Sequence, residues 1–249
     1  MIQDQTRYMQ RLGNMKEGAV TFLDVLGWKG IWERTDKAGD ILLDLINELN
    51  QKSDEFINSK IPTHDKYRGL TTDIKSISDT IAIFSSGAPE RVLELHGEIC
   101  KFAICRSIED GIPLRGATCY GHFTIQENIM IGPAVDEAAS WHEAADWIGV
   151  ILSPSALFRC SANDLIWKMN YDVPAKSYGK YKTHCVNWCS EWKKGKKEME
   201  EQFKKDLLLD AFLKMGPLTP NISAKFTNTL AFYDACCTES NTSLDSPVV

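Results

Sequence analysis

Two aspartates interrupt apolar stretches of this chain. Asp24 lies within Gly18-Ala19-Val20-Thr21-Phe22-Leu23-Asp24-Val25-Leu26-Gly27, and Asp79 within the segment from Ile74 to Phe84. An unpaired charge in an apolar strand is costly. Two carboxylates converging near a glycine-containing loop suit Mg2+ or Mn2+, which take oxygen ligands and share coordination with substrate phosphates. Two such ions per site, a few ångströms apart, activate an oxygen nucleophile and neutralise a leaving pyrophosphate. The competing reading is structural: Asp24 caps a turn or pairs with a lysine, and Asp79 is an ordinary turn residue.

Val25-Leu26-Gly27-Trp28-Lys29-Gly30 leads from the strand end towards a helix. Backbone N–H groups in such a loop can cradle phosphates. Gly27 and Gly30 let the backbone approach closely, and Lys29 adds a charge. The spacing is not that of the G-x-x-x-x-G-K-[ST] loop. A third candidate is Leu114-Arg115-Gly116-Ala117-Thr118-Cys119-Tyr120-Gly121, where Arg115 opens a strand beside a glycine. A guanidinium there can hold a triphosphate bidentately; alone, it also reads as a surface arginine. Other reactive residues fall into no set. His184, Cys185 and Cys189 cluster without a fourth zinc ligand at standard spacing. Trp141, His142 and Trp147 read as packing or dimer contacts on a helix. No Ser/His/Asp or Cys/His signature is present.

These residues need a scaffold, and the periodicities supply one. Gly18 to Gly27 reads as a buried strand. Ile41, Leu42, Leu45, Ile46 and Leu49 recur at threes and fours, which predicts a helix from about Ala38 to Phe56. Ile74 to Phe84 reads as two short strands about Ser78-Asp79. A helix follows from about Pro89. Strands are expected at Leu114–Tyr120 and Phe123–Ile131, a helix from Pro133 to about Asp146, a strand at Ile148–Leu152, and a helix start at Ser153-Pro154. The first six elements spell β-α-β-β-α-β, the ferredoxin-like arrangement. The fold class is therefore α+β, with helices expected on one face of the sheet. Trp192 to Met215 reads as one helix with a solvated, lysine- and glutamate-rich first half.

The chain has 249 residues, long enough for a core without staples. We read residues 1–160 as the catalytic domain, 161–240 as an extension packed on it, and 241–249 as a disordered tail. The net charge of −6 argues against nucleic-acid partners, because phosphate neutralisation needs a basic face. No run of about 20 apolar residues predicts a membrane span. Met1-Ile2-Gln3-Asp4-Gln5-Thr6-Arg7 lacks a signal-peptide core. The expected location is the cytoplasm, where the eight cysteines stay reduced.

Taken together, the pieces resemble the class III nucleotidyl cyclase catalytic domain, over about residues 18–158. Phe22-Leu23-Asp24-Val25-Leu26-Gly27-Trp28 resembles its first metal motif and Ile77-Ser78-Asp79 its second. Leu114-Arg115-Gly116 resembles its arginine-bearing strand. Ile131-Gly132-Pro133-Ala134-Val135-Asp136-Glu137-Ala138-Ala139 is similar to its helix start, and Ala145 to Ser153 to the strand that follows. The resemblance implies two metal ions on Asp24 and Asp79, with the Val25 carbonyl as a further ligand. It implies that the ribose 3′-oxygen attacks the α-phosphate and pyrophosphate leaves. The phosphates would lie on Leu26, Gly27, Trp28 and Lys29, reached by Arg115, at a homodimer interface.

The departures are specific. Asp136 stands at the usual transition-state asparagine and Ser140 at the usual arginine. Ile129, beside Asn128, replaces the purine-selecting aspartate, while Lys75 matches the base-selecting lysine. An inactive homologue fits this pattern, and so does an active enzyme with another base and a relocated cation such as Lys29 or Arg106. A narrower resemblance, to the pyrimidine cyclases of the bacterial Pycsar antiphage system, favours the second. It rests on Leu114 to Gly121, Ile131 to Ala134, Val173 to Lys176, Val186-Asn187-Trp188, and Lys225-Phe226-x-Asn228-Thr229-Leu230-x-Phe232. It implies UTP or CTP as substrate, a tyrosine near the base (Tyr67 or Tyr120), and a separate effector that senses the cyclic product.

Overall fold

The computed structural model describes residues 15–28, 31–62, 64, 67–127, 129–160, 167–177, 179–194, 196–216 and 219–242. The elements run β1 (Lys16–Val25), α1 (Ile31–Arg34), α2 (Ala38–Lys60), β2 (Asp73–Ile77), β3 (Thr80–Ser86), α3 (Pro89–Glu109), β4 (Leu114–Gln126), β5 (Ile129–Ile131), α4 (Pro133–Trp141), β6 (Gly149–Leu152), α5 (Pro154–Leu157), β7 (Lys168–Ala175), β8 (Gly179–Val186), α6 (Cys189–Lys194), α7 (Glu201–Lys214) and α8 (Pro220–Thr242). The fold is α+β. The sheet order is β2-β3-β1-β4-β6-β8-β7, and β5 pairs with β4 beside it. The order β2-β3-β1-β4, all antiparallel, is that of a ferredoxin-like βαββαβ core. β6 joins β4 in parallel, and the β8–β7 hairpin continues the sheet.

The central strand β1 is buried from Gly18 to Val25. Its alternating side chains enter two different cores. Ala19, Leu23 and Val25 meet α2 and α3, which present Leu45, Leu49, Val92, Leu95 and Ile99. Val20 and Phe22 meet Ala134, Val135 and Ala138 of α4 on the other side. The expectation of helices on one face is thus corrected. A strand covered on both faces reads as a continuous apolar run, which is what β1 shows.

Three further boundaries differ from the periodicity. α4 stops at Trp141 rather than near Asp146, because the chain after it pairs with the end of β7. Ala145 bridges Ala175, the Asp146 N–H donates to the Pro174 carbonyl at 2.8 Å, and the Lys176 N–H to Ala144 at 3.0 Å. Trp192–Met215 is two helices, α6 and α7, folded together by the Trp192 indole donating to the Lys204 carbonyl at 3.1 Å. Lys193, Lys194, Lys196 and Lys197 supply like charges at helical spacing between them. Leu114–Gln126 is one long strand that turns through β5. The segment expected as a tail is helical to Thr242; residues 243–249 lie outside the described set.

Candidate active site

Asp24 is the last residue of β1 that points to the α4 face. Its register partners are Thr80 on β3 and Arg115 on β4. The two strands flanking β1 therefore bring Asp79 and Arg115 to either side of it. The Val25 N–H donates to the Asp79 carbonyl at 3.0 Å, pinning the β2–β3 turn to the end of β1. In that tight turn Ser78 has φ 58°, the left-handed backbone that such hairpins need. The Leu26 N–H is committed to the Pro113 carbonyl at 2.8 Å. Gly27 then turns the chain with φ 76°, a conformation that favours glycine.

Arg115 is the centre of the site's electrostatics. Its Nη2 and Nε donate to Asp24 Oδ2 at 2.8 and 3.1 Å. The same Nη2 lies 3.2 Å from Glu143 Oε2. Asp24 and Arg115 are 9% and 6% exposed, so this is a buried pair. Lys176 Nζ holds Glu143 from the other side at 3.2 Å, and His142 Nε2 lies 3.9 Å from Glu143 Oε1. Ligand-capable atoms of Asp24, His142 and Glu143 lie within 4.8 Å of one another.

Burial pushes the Asp24 carboxyl above its ordinary value; the Arg115 guanidinium pulls it down, and Glu143 and Asp79 push it up again. The hydrogen bond from Lys176 holds the Glu143 carboxyl below its ordinary value, with Arg115 and His142 assisting. Three carboxylates thus face two fixed cations. Hard oxygen donors with surplus negative charge fit Mg2+ or Mn2+. Of the groups expected to hold such ions, Asp24 belongs to this cluster, and Asp79 and Val25 are joined beside it through their backbones.

The other predicted residues are dispersed. Lys29 and Asn128 lie outside the described residues. Trp28 is half-buried, its ring 5.9 Å from Trp32. Lys75, four residues before Asp79 on the edge hairpin, donates to the Glu127 carbonyl at the β4–β5 turn. Neither tyrosine faces Asp24. Tyr67 is buried in the α2–α3 core, where its hydroxyl donates to Glu94. Tyr120 pairs with Ala19 and points to that same face, its hydroxyl donating to the Gly87 carbonyl at 3.1 Å. The strand period of two puts Tyr120 on the far side of the sheet from Asp24, and packing against α2 and α3 puts Tyr67 there as well. Arg106 of α3 is paired with Glu48 of α2 and with Asp110, at 2.8 and 2.7 Å, on the helix pair that covers the other face of the sheet from Asp24. Ser140 donates to the Asp136 carbonyl, and both are exposed on α4. Cys185 and Cys189 join the main core.

His142, Glu143 and Lys176 were not visible as site residues in the sequence. For His142 and Glu143 the signal is the end of α4, since a helix continued to Asp146 carries them elsewhere; Lys176 arrives from the end of β7, where its N–H donates to the Ala144 carbonyl. The α4–β6 loop that bears His142 and Glu143 is clamped by α8. Lys225 pairs with Asp146 at 3.0 Å, Asn228 donates to the Asp146 carbonyl at 2.8 Å, and Thr229 Oγ1 accepts from the Ile148 N–H at 2.9 Å. These are the polar residues of the carboxyl-terminal motif, and this contact is their structural role. Lys225 and Phe226 also line a cavity of about 180 Å³ with Leu26, Gly27, Pro113 and Met215.

No family model matches the chain, and no curated protein matches it. Solved structures similar to it include the catalytic core of a rhodopsin-guanylyl cyclase with converted specificity, in complex with ATPαS. It is 21% identical, with 70% of this chain and 96% of that one covered and a TM-score of 0.43. A Trypanosoma brucei adenylate cyclase in its monomeric state is 14% identical, with coverages of 69% and 88% and a TM-score of 0.43. A bacterial light-regulated adenylyl cyclase is 14% identical, with coverages of 75% and 62% and a TM-score of 0.41. Likeness at this level says nothing about the site. Among the described residues, no helix is long and apolar enough to cross a membrane.

Proposed function

We propose that this chain is a metal-dependent nucleotidyl cyclase that converts UTP or CTP into the 3′,5′-cyclic nucleotide and pyrophosphate. In this reading it works as a homodimer with the active sites at the interface. It serves as the messenger synthase of an antiphage system, and its product acts on a separate effector. The observation that carries the cyclase reading is the meeting of Asp24, the Asp79 turn and Arg115 at one end of three neighbouring strands. The pyrimidine and defence parts rest on the resemblance of the carboxyl-terminal motifs and on the departures at Asp136, Ser140 and Ile129.

Bound divalent ions supply activation of the 3′-hydroxyl and neutralisation of the leaving charge. The chain's part is placement. Asp24 and Asp79 offer carboxylate oxygens from adjacent strand ends. Gly27 allows the backbone to approach the phosphates closely. Arg115 offers a guanidinium to the triphosphate. The 3′-oxygen forms a bond to the α-phosphorus, the bond from that phosphorus to the bridging oxygen breaks, and the hydroxyl proton is released. A non-catalytic nucleotide binder is the second reading. It is favoured by Ser140, which sits where a cation is expected and is turned back on its own helix.

The decisive experiment incubates purified protein with each of ATP, GTP, CTP and UTP in Mn2+ and reads cyclic product and pyrophosphate. Dominant product from UTP or CTP is expected. A purine product reassigns the base, and no product from any nucleotide overturns the cyclase reading. Asp24→Asn and Asp79→Asn are expected to lose at least about a thousandfold in turnover while keeping the fold. Full activity in either variant removes that residue from the metal set.

A further inference from the structure

Arg115 presents a conflict for the reading above, on which this inference rests. The guanidinium needed by a triphosphate is bonded to the carboxylate needed by a metal ion. The two roles compete, because two donors of Arg115 already occupy Asp24 Oδ2. Glu143 resolves the conflict, because the nitrogen that bonds Asp24 also reaches Glu143 at 3.2 Å. Glu143 is itself anchored by Lys176 at 3.2 Å, and its loop is clamped by Asn228 and Thr229 of α8. The guanidinium thus has two seats, one on Asp24 and one on a pinned carboxylate beside it. Its Nη1 is buried without a partner among the described residues, an orphan donor that a phosphate oxygen would satisfy.

We propose that Glu143 is a positioning residue for Arg115: it keeps the guanidinium as a displaceable counter-ion on Asp24 in the free protein, and holds it at the site, directed to phosphate, once a divalent ion has taken Asp24. Arg115 then competes with the metal for Asp24, and Glu143 lowers the cost of that displacement. No bond is made or broken covalently; one cation replaces another on a carboxylate.

The test uses the full chain and Mn2+ alone, with free Mn2+ followed by its electron paramagnetic resonance signal. Arg115→Gln removes the competing cation and is expected to tighten Mn2+ binding about tenfold, the scale of one charge-assisted hydrogen bond. Glu143→Gln leaves the guanidinium with Asp24 as its one carboxylate and is expected to weaken binding at least about threefold. In the Arg115→Gln background Glu143→Gln has no further effect, because Glu143 acts through the guanidinium. An equal Glu143 effect in both backgrounds makes it a direct ligand and overturns the proposal. Wild-type binding in both single variants, or no Mn2+ binding by Arg115→Gln, overturns it as well. The Glu143 side chain is 57% exposed, so its variants fold. Should Arg115→Gln fail to fold, Arg115→Met replaces it, since it keeps an apolar stem and removes every donor to both carboxylates; the Glu143 effect disappears there too. Mn2+ binding needs no turnover, so this result is read separately from the nucleotide assay. Retained Mn2+ binding in Asp24→Asn refutes the metal reading itself.

Discussion

Acid should destabilise this protein through a buried residue on the opposite face of the sheet from Asp24. His96 on α3 is fully buried, and burial is the cause of its shifted titration. Its Nδ1 is 2.7 Å from Thr21 Oγ1, which in turn is 2.7 Å from Thr118 Oγ1. Nε2 has no partner among the described residues. Desolvation lowers its pKa from 6.5 to about 3. The unfolded chain therefore takes up a proton below pH 6.5 that the folded chain refuses, so stability falls as the pH drops from 6.5 towards 3. Between pH 7.5 and 5.5 the loss is about 1.4 kcal/mol, and it reaches about 2.7 kcal/mol by pH 4.5. Above pH 4 the size depends only on the unfolded value, because the folded imidazole stays neutral throughout. Urea titrations of wild type and His96→Gln at pH 7.5 and 5.5 isolate it, since all other groups cancel in the subtraction. The variant is less stable at both pH values, but its pH dependence shrinks by about 1.4 kcal/mol. Equal pH dependence in the two proteins refutes a neutral, buried imidazole. The effect matters for the site because Thr21 and Thr118 face each other on the strands that carry Asp24 and Arg115.

Two further predictions concern the frame of the site. Thr229→Val removes the acceptor of the buried Ile148 N–H and is expected to lose about 1–3 kcal/mol in urea unfolding; a loss under about 0.5 kcal/mol shows that α8 does not clamp the loop. Gly116→Ala places a Cβ 2.1 Å from the Phe22 carbonyl oxygen, well inside the 3.0 Å limit of real contacts, so β1 and β4 must part by about 0.9 Å. That change is expected to cost more than about 3 kcal/mol or to prevent soluble expression, and a melting temperature like the wild type contradicts the strand register.

Much of the fold was legible because local patterns and tertiary packing agree. The threes and fours of α2 are the same residues that enter its core: Leu42, Leu45 and Leu49. Ser78-Asp79 is the turn that the flanking apolar runs imply. The β7–β8 hairpin was not legible. Its burial alternates weakly, and its strands carry Lys168, Lys180 and Lys182, so no apolar period stands out. The second helix layer, α4 on the other face, is written in β1 itself, whose unbroken apolar run is that of a strand covered on both sides.

The sequence by itself determined which residues have the chemistry: carboxylates at 24 and 79, a guanidinium at 115, and glycines that admit a close backbone. Those are properties of residue type within short apolar contexts. Only the tertiary structure decided what each residue touches. Tyr67 and Tyr120 were drawn to the far face because side-chain direction follows strand parity and packing, not proximity in the chain. Glu143 came to Arg115 because α4 ends where β7 captures the next residues, a contact across some thirty positions of sequence. Hydrogen-bond pairing between distant segments has no local signature, and in this protein it sets the charge balance around Asp24.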